Sequence, residues 1–291
     1  MTNSTKQTAD AEWPARDELA AYRTMLRLRR FEEKAGLLYA LGTIGTPCPL
    51  GVGQEAALTA LTTVLGPTDE LLAFRDTPAL ELALGVEPVD VLRRLVPAPE
   101  GNSQPGALAW TRSRQIRRCV APLEAAGELQ GFDGAHPESV LVVLLHECAG
   151  TAEHLPTLAA MPFVEGRRLL PVLVVPRDER PGPDDLPATL HVREVDGTDV
   201  VRVAAALATA CADAGKGLSG PCLVVLTPPY IGHSRNAGRR APSRPDTPDP
   251  IVLSRRRLVA SGVATEEHLS GLERSVREEV VRAARVLEME C

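Results

Sequence analysis

The chain has 291 residues, 44% hydrophobic, 24% charged and only 3% aromatic, with a net charge of −6. That apolar content suffices for a sizeable core and excludes global disorder. The acidic balance and the scarcity of aromatic rings argue against nucleic acid, an anionic membrane surface or a stacking platform as partner.

Residues 1–14 (MTNSTKQTADAEWP) are polar, lack an apolar signal core, and read as a disordered tail. The expectation is one domain over 15–291. From Asp17 to Ala40, Leu19, Tyr22, Leu26, Phe31, Leu37 and Leu38 recur at helical spacing among charges, with Glu32–Glu33 beside Lys34 read as helix surface. Residues 53–65 are an apolar, buried helix. Residues 70–75 are a short strand, and 78–95 a helix broken at Gly85. A Pro/Gly/Ser loop (97–106) precedes a basic patch, RSRQIRR, at 112–118, and a helix is expected at 121–130. The runs at 139–147 and 171–176 have the continuous β-branched character of buried parallel strands, with a helix at 150–164 between them. An exposed proline-rich loop (176–187) leads to a strand at 191–197, an Ala-rich helix at 198–214 and a buried strand at 221–229. Residues 235–250 read as loop, and 265–288 as an amphipathic helix with Thr265 as N-cap.

The strand–helix alternation predicts a doubly wound α/β domain. Ligands of such folds bind beyond the carboxyl ends of the strands, which directs attention to His146–Glu147–Cys148, Pro176–Arg177–Asp178 and Tyr230–His233. The chain has no G-x-G-x-x-G, P-loop, G-x-S-x-G or H-E-x-x-H motif. Cys148 reads more simply as a small buried thiol than as a nucleophile. The basic patch reads first as a solvated face or subunit contact, and second as an anion site. Six cysteines, at 48, 119, 148, 211, 222 and 291, form no C-x-x-C pair and lack zinc-ligand spacing. The longest apolar runs, at 140–145 and 169–175, are too short to span a bilayer. Together these features predict a cytoplasmic protein with reduced thiols.

Three blocks in the N-terminal third carry a more specific signal: YRTMLRLRRFEEKAGLLYALGTIG (22–45), GVGQEAALTAL (51–61) and GPTDELLAFRD (66–76). Three more follow near the C-terminus: VDGTDVVRV (195–203), GPCLVVLTPPYIGHS (220–234) and DPIVLSRRRLVASGVATEEHL (249–269). In this order the blocks resemble the alpha subunit of the thiamine-diphosphate-dependent first component of 2-oxo acid dehydrogenase complexes. The resemblance implies the thiamine-diphosphate-binding α/β fold, with a mostly parallel sheet and an N-terminal helical extension. It implies an α2β2 heterotetramer with a beta subunit, a lipoyl-bearing acyltransferase or carrier protein as acyl acceptor, and thiamine diphosphate and Mg²⁺ as cofactors. The family reaction is oxidative decarboxylation of a 2-oxo acid with acyl transfer to a thiol.

Carried over position by position, the resemblance places Phe74 and Arg75 where a Tyr-Arg pair contacts the diphosphate. It places Glu147 and Asp178 at the two Mg²⁺ ligands, and gives His233 a role in acyl transfer. The surroundings depart from the family pattern. Gly-Asp-Gly becomes His146–Glu147–Cys148, and Glu-Asn-Asn becomes Arg177–Asp178–Glu179. The cofactor-wrapping Gly-Ile-Val-Gly becomes Gln115–Ile116–Arg117–Arg118, and an active-site His becomes Pro49. Both phosphate-side glycines are gone, and two carboxylates would face a polyanion where the family uses Asp with a neutral Asn. These departures predict impaired or lost cofactor binding. The alternatives are a non-catalytic subunit that scaffolds or regulates a beta partner, or a pocket repurposed for another anion through Arg75, Arg117, Arg118 and Arg177.

Overall fold

The computed structural model describes residues 15–45, 51–73, 77–96, 111–113, 116–120, 139–146, 168–177, 180–182, 184–186, 188, 190–216, 220–228 and 248–290. Seven strands form one sheet: β1 (Glu70–Ala73), β2 (Thr111–Ser113), β3 (Ile116–Val120), β4 (Val140–His146), β5 (Arg168–Pro176), β6 (His191–Asp196) and β7 (Pro221–Thr227). Their spatial order is β2-β3-β1-β4-β5-β7-β6. Every pairing is parallel except β2 with β3. The doubly wound, mostly parallel α/β architecture expected from the sequence is therefore present.

The helices are α1 (Ala15–Ala40), α2 (Glu55–Val64), α3 (Pro78–Ala83), α4 (Pro88–Leu95), α5 (Val200–Gly215), α6 (Pro250–Ala260) and α7 (Glu266–Glu290). Alternation along the central strands divides the core in two. Leu71, Val142, Leu144, Val172, Val174, Leu223 and Val225 point to the face covered by α1, α2 and α5. Leu72, Leu141, Val143, Leu173, Val175, Cys222 and Val224 form the opposite layer, against which Leu186 and Leu190 pack. The continuous apolar runs arise because both faces of these strands are covered.

Several sequence expectations change. Leu37 is 51% exposed, whereas Tyr22, Leu26, Phe31 and Leu38 are buried. Glu32 lies in the interior, not on the helix surface, and accepts a hydrogen bond from the Gly51 N–H at 2.7 Å. The break expected at Gly85 is present: residues 78–95 form two helices, parted where Gly85 takes a positive φ of 88°. The basic patch supplies β2 and β3, whose backbones pair with each other and, through β3, with β1. Asp249 and Pro250, read as loop, are the N-cap and first turn of α6. The Asp249 carboxylate accepts from the Ile251 and Val252 N–H groups at 2.8 and 3.3 Å. Aspartate followed by proline is a helix start that a Pro/Arg-rich stretch conceals. The β5 strand opens three residues early, at Arg168, because β4 supplies a partner from Val140 onward. Residues 1–14 and the helices expected at 121–130 and 150–164 lie outside the described residues.

A single carboxylate ties the amino end of the sheet. Asp69 accepts from the Gly66 N–H at 2.8 Å, closing the turn before β1, and from the Val140 N–H at 2.9 Å, fixing the start of β4. Removing it leaves two backbone donors without their partner. Asp69→Ala is expected to lower unfolding free energy by about 2 kcal/mol in urea titrations, with Asp69→Asn losing less; equal stability of Asp69→Ala and the parent would show that these bonds are replaced by water.

Candidate functional site at the carboxyl ends of the strands

The sheet order defines where a ligand crevice belongs. From β1 the chain passes to β3 on one side, then crosses back to β4 on the other side of β1. The reversal puts a topological switch point between the carboxyl ends of β1 and β4. In register, Ala73 at the end of β1 lies beside Leu144, and Leu144 lies beside Val172 of β5. Phe74 and Arg75 are the residues that follow β1, Glu147 follows β4, and Asp178 comes two residues after β5. All four lie outside the described residues, as does His233 in the stretch 229–247 after β7. The strand ends from which they continue thus converge on the predicted edge, while the side chains themselves are not placed. Cys148 and Pro49 are outside the described residues too.

The described residues at this edge carry a defined polar structure. Arg177, directly after β5, makes an ion pair of 2.5 Å with Asp196 at the end of β6. Since β7 lies between β5 and β6, this pair bridges across the carboxyl end of β7. Asp196 also accepts from the Thr198 N–H at 3.0 Å and hydroxyl at 2.7 Å. Burial pushes the Asp196 carboxyl up, but the bonds from Thr198 and the Arg177 guanidinium outweigh it and hold the group below its ordinary value. Gly197 follows, donating to the Leu226 carbonyl at 2.8 Å. A Cβ there would sit 2.9 Å from that same oxygen, so the close approach of this turn to β7 requires glycine. The Asp199 carboxylate then caps α5 through the Val201 and Arg202 N–H groups and pairs with Arg257 at 2.5 Å.

Of the four arginines considered for an alternative anion, Arg177 is committed to Asp196. Ile116–Arg118, aligned with the family's cofactor-wrapping loop, are instead part of β3, paired with β1. The thiols of Cys211 and Cys222 are free and raised to about 12, Cys222 by burial and Cys211 by burial with a contribution from Asp69. Neither is a nucleophile in this environment. A cleft of about 760 Å³ lies between the 180–190 stretch and edge strand β6, and an Arg180–Glu194 ion pair of 2.8 Å lines it. Among the described residues, no three His, Cys, Asp or Glu side chains cluster to hold a metal, and no helix is long and apolar enough to cross a membrane.

A second polar assembly was not anticipated from the sequence. The turn Gly51–Gln54 is held from two directions, Gly51 by Glu32 and Gly53 by its N–H donating to Glu55 Oε2 at 2.8 Å. The other oxygen of buried Glu55 meets Arg29, which also donates to Asp249 Oδ2 at 2.8 Å. The available signal was the pair of glycines before a Gln-Glu at a helix start, a pattern that asks for a carboxylate to cover open backbone N–H groups.

No family model matches the chain. It is 29% identical to the pyruvate dehydrogenase E1 component subunit alpha of Rhizobium meliloti, over 94% of the chain and 86% of that protein. The subunit of the same name from Rickettsia felis is 42% identical over 93 residues, 31% of the chain and 28% of that protein. A Caenorhabditis elegans protein named "Probable pyruvate dehydrogenase E1 component subunit alpha, mitochondrial" is 28% identical over 93% of the chain and 74% of its own length.

The chain is E1 alpha-like. The resemblance to the Rhizobium meliloti subunit runs through nearly its whole length.

Two outcomes follow. In the folded protein at pH 8, Cys211 and Cys222 are expected to resist alkylation by iodoacetamide, read by peptide mass spectrometry; modification of either without unfolding would contradict the burial described. Because the Asp196 carboxyl is depressed in the folded state, its contribution to stability is present above the ordinary value of 3.8 and is lost as the pH falls through the folded value. Asp196→Asn is expected to lower the melting temperature at pH 7, with the gap to the parent closing below pH 4; a pH-independent gap would assign the loss to packing.

Proposed function

We propose that the chain is the alpha-type subunit of a 2-oxo acid dehydrogenase-like heterotetramer, α2β2 with a beta partner, acting in the cytoplasm, and that its own Mg²⁺–thiamine diphosphate cradle is impaired or lost. The observation that carries the proposal is the convergence of two lines on one place. The sheet order puts the switch point at the ends of β1 and β4, and the chain there keeps E1 alpha-like surroundings while changing the residues that would meet the cofactor.

The residues present do not fit the group. At the strand ends the chain carries His146 and Arg177, whose side chains replace smaller or oppositely charged family positions. Arg177 is drawn onto Asp196. The remaining oxygen donors are Glu147 and Asp178, two full negative charges beside a diphosphate. That set favours a bare cation over one already neutralising a polyanion. In an assembly of this kind the α/β framework supports folding and pairing with the beta chain, which supplies or regulates the chemistry. An acyltransferase or carrier protein would be the downstream partner.

The second reading, an emptied pocket that takes another anion, loses Arg177 from its set. A role as scaffold or regulator is the form the proposal takes if the assembled protein holds no cofactor at all.

The test is calorimetric titration of Mg²⁺–thiamine diphosphate into the chain co-purified with its beta partner. The expected result is binding absent or weakened at least tenfold relative to an E1 of intact motif, with Glu147→Ala and Asp178→Ala changing nothing further. Tight binding that either substitution abolishes would establish a working variant cradle.

A further inference from the structure

Three points of the chain meet at the Gly51–Glu55 turn. Gly51 is the first residue after 46–50. Pro228 leads into 229–247, and Asp249 stands just beyond that stretch. Gly53, at a positive φ of 102°, lies against Pro228; a Cβ built on it would be 3.6 Å from the proline ring. Glu55 Oε2 accepts from the Gly53 N–H at 2.8 Å, and its other oxygen is bound by Arg29 Nε. Arg29 Nη1 donates to Asp249 Oδ2 at 2.8 Å, while the other oxygen of Asp249 caps α6. The Glu55 side chain is 1% exposed and that of Arg29 15%. Burial alone would lower the Arg29 pKa, but the two carboxylates more than offset it and keep the guanidinium charged. Arg29 thus reaches the turn and the α6 cap with one planar, two-armed group that a lysine cannot reproduce.

We propose that Arg29 is a positioning residue: through Glu55 on one side and Asp249 on the other, it couples the turn that follows position 49 to the root of the stretch carrying His233. The described residues that border the two stretches the E1 alpha resemblance associates with the active site thereby meet at one locus. Disturbing either root disturbs the other, because the coupling runs through a contiguous set of hydrogen bonds and is reciprocal. The functional consequence rests on the reading in the preceding subsection, whereas the coupling itself does not.

The test is hydrogen–deuterium exchange of the full chain, read at single amides by fragmentation mass spectrometry, and it needs neither cofactor nor turnover. Asp249→Asn keeps an oxygen to cap α6 but weakens the tie to Arg29. It is expected to speed exchange at the Gly53 amide roughly tenfold, leaving Val143, Val174 and Val224 in the sheet core unchanged. Arg29→Lys, which keeps the charge, is expected to loosen both Gly53 and the Ile251–Val252 amides. Unchanged Gly53 exchange in Asp249→Asn would overturn the proposal. So would a uniform rise that includes the core, or full protection in Arg29→Lys. Because no ligand enters the experiment, a failure here is separable from a failure of the cofactor reading.

Discussion

The pairing of β1 with both β3 and β4 is the constraint on which the rest of this molecule depends. A four-residue strand, Glu70–Ala73, sits in the middle of the sheet with parallel neighbours on each side. Parallel pairing forces the connections to cross over the faces, and the change of direction at β1 makes its carboxyl end a topological switch point. Asp69 holds the amino end of that arrangement. The opposite end is left to sequence stretches that depart most from the family pattern. A short central strand tolerates this division because its stability comes from neighbours and from burial on both faces, with Leu71 and Leu72 fully buried on opposite sides.

Buried carboxylates, more than apolar contacts, set the local geometry around that edge. Glu32 and Glu55 take up backbone N–H groups that a glycine-rich turn would otherwise bury unsatisfied. Asp199 and Asp249 do the same for the first turns of α5 and α6. Each of Glu55, Asp199 and Asp249 also meets an arginine, so the charge is offset where it is removed from water. Glu18 joins the second of these groups, between Ser254 and Arg257, and burial raises its carboxyl nonetheless. A chain with few lysines and many arginines suits this construction, since guanidinium groups reach two carboxylates at once. Such ties hold the framework around that edge together.

Much of this was legible in the sequence. The β4, β5 and β7 runs announced themselves because strands covered on both faces are apolar without alternation through their centres. Thr265 was readable as a cap, and its hydroxyl accepts from the His268 N–H at 3.1 Å. The strands β2 and β3 were not legible, because their arginine-rich sequence carries no alternation and owes its extended form to the neighbouring β1. Glu32 was misread because a charged residue next to another charged residue on a helix ordinarily faces water; only the fold brings the open Gly51 amide to it. The candidate site was legible as a location, through the switch-point rule and the family blocks. Its side chains at Phe74, Arg75, Glu147, Asp178 and His233 rest on resemblance alone.

The most direct measurement of the central claim is native mass spectrometry of the chain co-expressed with its beta partner in the presence of Mg²⁺ and thiamine diphosphate. The account predicts an α2β2 mass that lacks a full complement of cofactor. An α2β2 species carrying cofactor at every α–β site would contradict the altered cradle. A chain that does not associate with the beta subunit would contradict the assignment as an alpha-type subunit.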